Sequence, residues 1–141
     1  MEAQIHLPVY WPELILPQDI DPVDTADTLK LLSDSTRLRL VRLLTEEELS
    51  VAELQDILNM GQSRISSHLG LLRQGELVED RRDGKKSFYQ ISHSLSRETK
   101  KLLQVVCNSF DKQEKAISDS QSLDRILDQR RKLSEKFFNS V

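Results

Sequence analysis

The sequence predicts a mainly helical protein with one small β-hairpin, in the α+β class. Apolar residues recur at helical spacing through most of the chain, which is typical of amphipathic helices. Between residues 77 and 91 the pattern changes to the alternation that indicates two strands and a turn. At 141 residues, the chain is long enough for one hydrophobic core with appendages but not for two full domains.

The stretch from Leu54 to Leu77 predicts two short helices joined by a turn. Its apolar residues keep helical spacing on both sides of Asn59-Met60-Gly61, and Gly75 ends the second run. The capping box Ser50-Val51-Ala52-Glu53 starts the first helix sharply. The outward positions of the second helix carry short or forked hydrogen-bonding groups that suit contact with bases in a DNA groove: Gln62, Ser63, Arg64, Ser66, Ser67 and His68.

Two further helices are expected before this pair. The first runs from Asp21-Pro22 to about Ser33, and the second from Thr36 to about Thr45, capped by Asp34 or Ser35. Arginines project from the second helix, where they either touch DNA phosphates or are solvated or paired within the chain: Arg37, Arg39 and Arg42.

The alternating segment after Gly75 predicts a hairpin with a turn containing Asp83-Gly84. Four cations lie at or near its tip: Arg81, Arg82, Lys85 and Lys86. By themselves they describe a solvated basic turn. Next to a helix-turn-helix they describe a wing that contacts phosphates or a minor groove, so residues 23–95 are predicted to form a winged helix-turn-helix.

The C-terminal part returns to helical spacing. A dimerisation helix is predicted over residues 96–118, because its apolar stripe is longer than one small domain needs. The stripe residues expected at a homodimer interface are Leu102, Leu103, Val106 and Phe110. Residues 118–122 are predicted as a polar break, and residues 119–141 as a C-terminal segment with a final helix from about Leu123, which can connect to a further domain.

Residues 1–22 contain all four prolines of the protein and cannot form a regular long helix. Their apolar residues fit an arm that packs on the domain or on a partner subunit, and a flexible tail is the alternative.

Composition limits the function classes. No run of about 20 apolar residues could span a membrane, and no secretory signal is present, so the expected location is the cytoplasm. Cys107 is the only cysteine, expected as a buried small hydrophobe or, alternatively, as a thiol reacting across a dimer interface. The net charge of −3 conceals an asymmetry: residues 1–61 carry 4 basic and 12 acidic side chains, residues 62–96 carry 6 and 4, and residues 97–141 carry 10 and 7.

Three stretches together resemble winged-helix regulators of the ArsR/SmtB family: LLSDSTRLRLVRLL, ELSVAELQDIL and GQSRISSHLGLLRQGELVEDRRDGKKSFYQI. The resemblance covers about residues 24–92. It implies a dimeric repressor that binds an operator through the helix of residues 62–74 and the wing of residues 81–86. An effector would then release it from the operator.

The metal sites of that family are expected to be absent. Where the resemblance implies a Glu-Leu-Cys-Val-Cys pattern, this chain has Glu48-Leu49-Ser50-Val51-Ala52, and neither Ser nor Ala replaces a thiolate. No histidine lies between Ser96 and Ser118, so no metal is predicted. The segment from Arg131 to Phe138 is similar to the connector of members fused to an S-adenosylmethionine-dependent methyltransferase. That similarity suggests S-adenosylmethionine or S-adenosylhomocysteine as effector.

The leading hypothesis is therefore a homodimeric repressor that binds double-stranded DNA at an inverted-repeat operator and is released by a non-metal effector. The competing hypothesis is a protein-interaction module with vestigial DNA binding, regulating or docking a fused methyltransferase domain. An enzyme is not expected, because no grouping of nucleophile, base and orienting residue is discernible.

Overall fold

A computed structural model describes residues 22–140, with side chains described from residue 25 onward. Apart from Pro22, the predicted N-terminal arm lies outside the described residues. The helices of the described part are α1 (Pro22–Leu32), α2 (Ser35–Glu46), α3 (Val51–Leu58), α4 (Gln62–Gln74), α5 (Arg97–Phe110) and α6 (Glu114–Asn139). The strands are β1 (Leu49–Ser50), β2 (Val78–Asp83) and β3 (Lys86–Ile91). The prediction of a mainly helical α+β protein is confirmed.

Two polar side chains define where helices begin. Asp34 accepts a hydrogen bond from the backbone N–H of Arg37 at 3.0 Å and caps α2; this bond holds the pKa of the Asp34 carboxyl below its usual range. At α3 the predicted capping box is confirmed. Ser50 Oγ accepts from the N–H of Glu53 at 3.2 Å, and Glu53 Oε1 accepts from the N–H of Ser50 at 2.9 Å.

The core lies where α2, α3 and α4 meet the sheet. Its members come from each of these elements at the spacing that the sequence predicted, and they are almost completely shielded from solvent: Leu40, Leu43, Leu49, Leu54, Ile65, Leu69, Leu72 and Leu77. Truncating one of these residues to Ala would cost about 2–5 kcal/mol of folding free energy. This core fixes the positions of α3 and α4 relative to each other.

The sheet has three antiparallel strands in the order β1-β3-β2. The sequence predicted the hairpin β2–β3 but not β1, which is only two residues long and sits between a helix end and a capping box. Its residues Leu49 and Ser50 pair with Tyr89 and Phe88 of β3. The base of the hairpin is therefore joined to the helical core through its inner strand.

The predicted boundary between the last two helices is wrong. Helix α5 ends at Phe110, and α6 begins at Glu114 and continues without interruption through residues 118–122. Two of those polar residues, Asp119 and Ser120, accept hydrogen bonds from arginines of α2, as described below. Of the helices described here, none is both long and apolar enough to cross a membrane.

Candidate nucleic-acid interface

Helix α4 presents a polar outer face. Ile65, Leu69 and Leu72 are buried in the core, so their spacing orients the opposite side of the helix toward solvent. The exposed residues of its N-terminal half are Gln62, Ser63, Arg64, Ser66 and Ser67. The connection from α3 depends on Asn59, which adopts the left-handed conformation with φ of 52° and is one of the few residue types that does so readily.

His68 differs from its predicted outward position. Its side chain is 17% exposed, and Nδ1 lies 3.9 Å from Oδ1 of Asp34 and 3.4 Å from Nη1 of Arg37. The imidazole thus packs against the start of α2. At the angle of residue 68, the helix surface meets a neighbouring helix rather than solvent, a feature that a single-helix pattern cannot reveal.

The hairpin closes through a two-residue turn, Gly84 and Lys85, because Asp83 pairs with Lys86 in the ladder. Gly84 has a positive φ of 61°, which glycine adopts without steric cost. Such a short turn keeps the strands in register to their ends. Three of the four predicted wing cations therefore project from the last ladder pairs and the turn.

Arg81 is the exception among the wing cations. Its Nη2 donates to Oε1 of Glu48 at 2.6 Å, and its guanidinium carbon lies 4.7 Å from the centroid of the Phe88 ring. Arg81, the remaining three and Arg64 of α4 are all exposed. Unlike Arg81, the other four form no ion pair within 4 Å in the part of the chain that the structure describes. We call these four residues the outer cations: Arg64, Arg82, Lys85 and Lys86.

Three other arginines face inward. Arg39 donates to both carboxylate oxygens of Asp119, each at 2.8 Å, and the Asp119 side chain is 2% exposed. That hydrogen bond raises the pKa of the Arg39 guanidinium. Arg42 donates to Asp111 at 2.7 Å, to Ser120 Oγ at 2.7 Å and to the Ala116 carbonyl at 3.2 Å. Pairing within the chain, one of the two readings of these arginines, is confirmed for Arg39 and Arg42.

The third inward arginine joins α6 to the helix-turn-helix itself. Nε of Arg130 donates to Oε2 of Glu53 at 2.6 Å, Nη2 donates to Oε1, and Nη2 also donates to the Glu48 carbonyl. Glu53 is the capping-box residue of α3. We call Arg39, Arg42 and Arg130 the inner arginines. The sequence did not reveal their acceptors Asp119 and Ser120, which were assigned to a helix break.

Helix α5 carries two apolar stripes rather than one. Leu103 and Phe110 of the predicted dimer interface are 2% and 6% exposed and lie in the core of this chain, so the prediction is wrong for them within the single subunit described. Leu102 and Val106 remain partly exposed. Val105, which the prediction omitted, is 66% exposed and lies beside them at helical spacing.

Cys107 is buried, which raises the pKa of its thiol to about 11. The thiolate population at neutral pH is therefore negligible, and the reading as a buried small hydrophobe is the one that fits. Among the described residues, no group of three His, Cys, Asp or Glu side chains is arranged to bind a metal ion.

The sequence of residues 34–80 matches the model of the family described as bacterial regulatory protein, arsR family. The chain is 37% identical over 90 residues to the biofilm growth-associated repressor of Xylella fastidiosa, a match that covers 64% of this chain and 79% of that protein. The chain belongs to the ArsR family. It is thus a DNA-binding transcriptional regulator with a winged helix-turn-helix.

Solved structures agree with this ArsR-family assignment. HlyU from Vibrio cholerae aligns with a TM-score of 0.58 and 31% identity, covering 64% of this chain and 95% of that one. The homodimeric winged helix-turn-helix DNA-binding domain Mb0332 from Mycobacterium bovis aligns with a TM-score of 0.54 and 27% identity, covering 65% of this chain and 82% of that one. Each of these two alignments covers only part of this chain.

Proposed function

We propose that this ArsR-family protein is a repressor that binds an inverted-repeat operator as a homodimer and is released by a non-metal effector. The observation that carries the proposal is that some basic side chains have acceptors within the chain and others do not. The described residues provide acceptors for the inner arginines and none for the outer cations, which lie on the helix and hairpin that a winged helix-turn-helix applies to DNA. The Xylella relative is itself named a repressor.

On this proposal, α4 enters the major groove. Gln62, Ser63, Ser66 and Ser67 are short enough to bring the helix close to base edges, and Arg64 is long enough to make a bidentate contact with guanine. His68 is left out of this set because its side chain already contacts Asp34 and Arg37. The wing cations Arg82, Lys85 and Lys86 then contact phosphates and add affinity without sequence preference.

Arg64→Ala tests the recognition helix. Fluorescence anisotropy with the protein's own upstream DNA should show a loss of about 1–3 kcal/mol in operator binding and relaxed base preference at one position of each half-site. Arg73→Ala is the matched control, because Arg73 lies on the same helix and pairs with Asp80 at 3.4 Å. Operator affinity and base preference that survive Arg64→Ala would contradict the assignment of α4.

The homodimer is proposed to form through the outer stripe of α5, Leu102, Val105 and Val106. A contiguous exposed apolar patch on a helix is typical of a protein–protein interface, and Mb0332, the structural neighbour, is homodimeric. Val105→Glu should convert the dimer to a monomer in sedimentation experiments. Ile117→Glu changes a residue that is 48% exposed on α6 and should leave the dimer intact; a dimer that survives Val105→Glu would exclude this interface.

The effector is proposed to be a small organic molecule such as S-adenosylmethionine or S-adenosylhomocysteine. The thiolate positions of the family are Ser50 and Ala52 here, and Ser50 Oγ is already used in the α3 capping box. A decrease in operator affinity on addition of either compound, measured in the same anisotropy assay, is the expected result. Unchanged affinity in the presence of both compounds would contradict this choice of effector.

A further inference from the structure

A cavity of about 440 Å³ opens between the C-terminal end of α2, the end of β3 and the length of α5. Ile91, Leu103 and Cys107 give it apolar surface, and polar side chains from α2 and α5 line the remainder. This volume is within the range of cavities that bind small organic molecules, about 300–1,000 Å³. None of its lining residues belongs to α4 or to the outer cations.

Two of the four charged side chains that line the cavity neutralise each other. Arg42 donates to Asp111 at 2.7 Å, and the Arg42 side chain is 8% exposed. The other two, Glu46 of α2 and Lys100 of α5, are exposed and form no ion pair within 4 Å among the described residues. The cavity therefore offers one anion and one cation, each without a charged partner, on two different helices.

The helix ends reinforce this separation of charge. Glu46 lies in the last turn of α2, at the negative end of that helix dipole. Lys100 lies in the first turn of α5, at the positive end of its helix dipole. A positive group of a ligand is therefore favoured on the α2 side and a negative group on the α5 side. Backbone and side chains give the same polarity.

We propose that this cavity, whose wall is partly apolar and partly polar, binds a small zwitterion with a bulky, partly polar body, the chemistry of a substituted α-amino acid. Its ammonium group contacts Glu46, its carboxylate contacts Lys100, and its body packs on Leu103, Cys107 and Ile91. S-adenosylhomocysteine belongs to this class. The site is defined by binding alone and does not depend on operator binding.

One residue of the cavity wall, Arg42, also contacts α6. Arg42 donates to the Ala116 carbonyl and to Ser120 Oγ as well as to Asp111. A ligand in the cavity therefore lies beside one of the two arginines of α2 that bind α6. Its binding should change the amide chemical shift of Ser120 in addition to those of Glu46 and Lys100.

Isothermal titration calorimetry on the DNA-free full chain tests the site with three probes. S-adenosylhomocysteine should bind, whereas adenosine, which lacks the zwitterion, and methionine, which lacks the large body, should each bind at least about tenfold more weakly. Lys100→Gln and Glu46→Gln should each raise the Kd of S-adenosylhomocysteine at least about fivefold. Lys101→Gln, an exposed neighbour outside the cavity, should leave it unchanged.

Three results would overturn the proposal: no binding of S-adenosylhomocysteine at about 1 mM, equal affinity for adenosine, or unchanged affinity in both Lys100→Gln and Glu46→Gln. Thermal unfolding of each variant checks that the exposed substitutions leave the fold intact. Because no DNA is present, failure of the repressor proposal leaves this result unaffected, and failure of this site leaves operator binding to be measured separately.

Discussion

The inner arginines and the outer cations are all positively charged side chains, but their surroundings are opposite. Each inner arginine donates hydrogen bonds to acceptors within the chain; Arg39, for example, donates to Asp119. The outer cations lie on the helix and hairpin of the DNA-binding motif and have no charged partner among the described residues. A count of basic residues cannot separate the two sets, and the net charge of −3 conceals both. The proposed function therefore depends on where the cations without a charged partner lie, here on α4 and the wing, and not on how many basic residues there are.

The largest effect is expected from removing an inner acceptor. Asp119→Ala removes the buried acceptor and leaves the mostly buried guanidinium of Arg39 unpaired, so the free energy of unfolding should fall by about 3 kcal/mol in urea denaturation. Asp124→Ala, at an exposed position of the same helix, is the control and should change little. A stability within about 0.5 kcal/mol of wild type would show that the Arg39–Asp119 pair contributes no more than a surface contact.

The next effect concerns the outer cations of the wing. Replacing Arg82, Lys85 and Lys86 together by Gln should lower the slope of log K against log salt concentration by about 2.7 if each contacts one phosphate. Folding stability should not change, because these side chains are exposed. Arg81→Gln is the control: Arg81 pairs with Glu48, so the slope should stay at the wild-type value. A drop of the same size per residue in Arg81→Gln would remove the distinction between paired and unpaired wing cations.

The smallest effect concerns the link between Arg130 and Glu53. Burial raises the pKa of Glu53, but hydrogen bonds from the Arg130 side chain and the Ser50 amide bring it below its ordinary value of 4.5. A carboxyl whose pKa is lower in the folded state stabilises the fold above its ordinary pKa and loses that contribution as the pH falls. The free energy of unfolding of the wild-type protein should therefore exceed that of Glu53→Gln by about 1 kcal/mol at neutral pH.

That difference should shrink as the pH falls below 4.5, the ordinary pKa value, because Glu53 is then protonated first in the unfolded state and, below its lower folded-state pKa, in both states. Urea unfolding of the two proteins between about pH 3 and pH 7 measures it. Glu135→Gln, which removes an exposed acceptor of Arg131, should give no such pH-dependent gap. A gap that is constant with pH would mean that the capping box matters here and the charge of Glu53 does not.

Local patterns predicted the motif well and long-range partners poorly. The capping box at Ser50, the apolar spacing of α4 and the alternation of the hairpin are properties of neighbouring residues, so the sequence alone determines them. Asp119 interacts with a residue 80 positions away, and within its own segment its polarity indicates only a break. Leu103 and Phe110 were assigned to a partner subunit for the same reason: one apolar stripe cannot be distinguished from two without knowing which side of α5 the core occupies.

The hairpin has one further consequence. Strand β3 is paired on both sides only at Phe88 and Tyr89, so toward the turn the two strands have only each other. Amide hydrogens of the wing should accordingly exchange faster with each ladder pair beyond Phe88. A hairpin that is held at its base and flexible at its tip can bend to fit DNA grooves of different width. Helix α4 beside it, which is packed into the core, keeps a fixed angle.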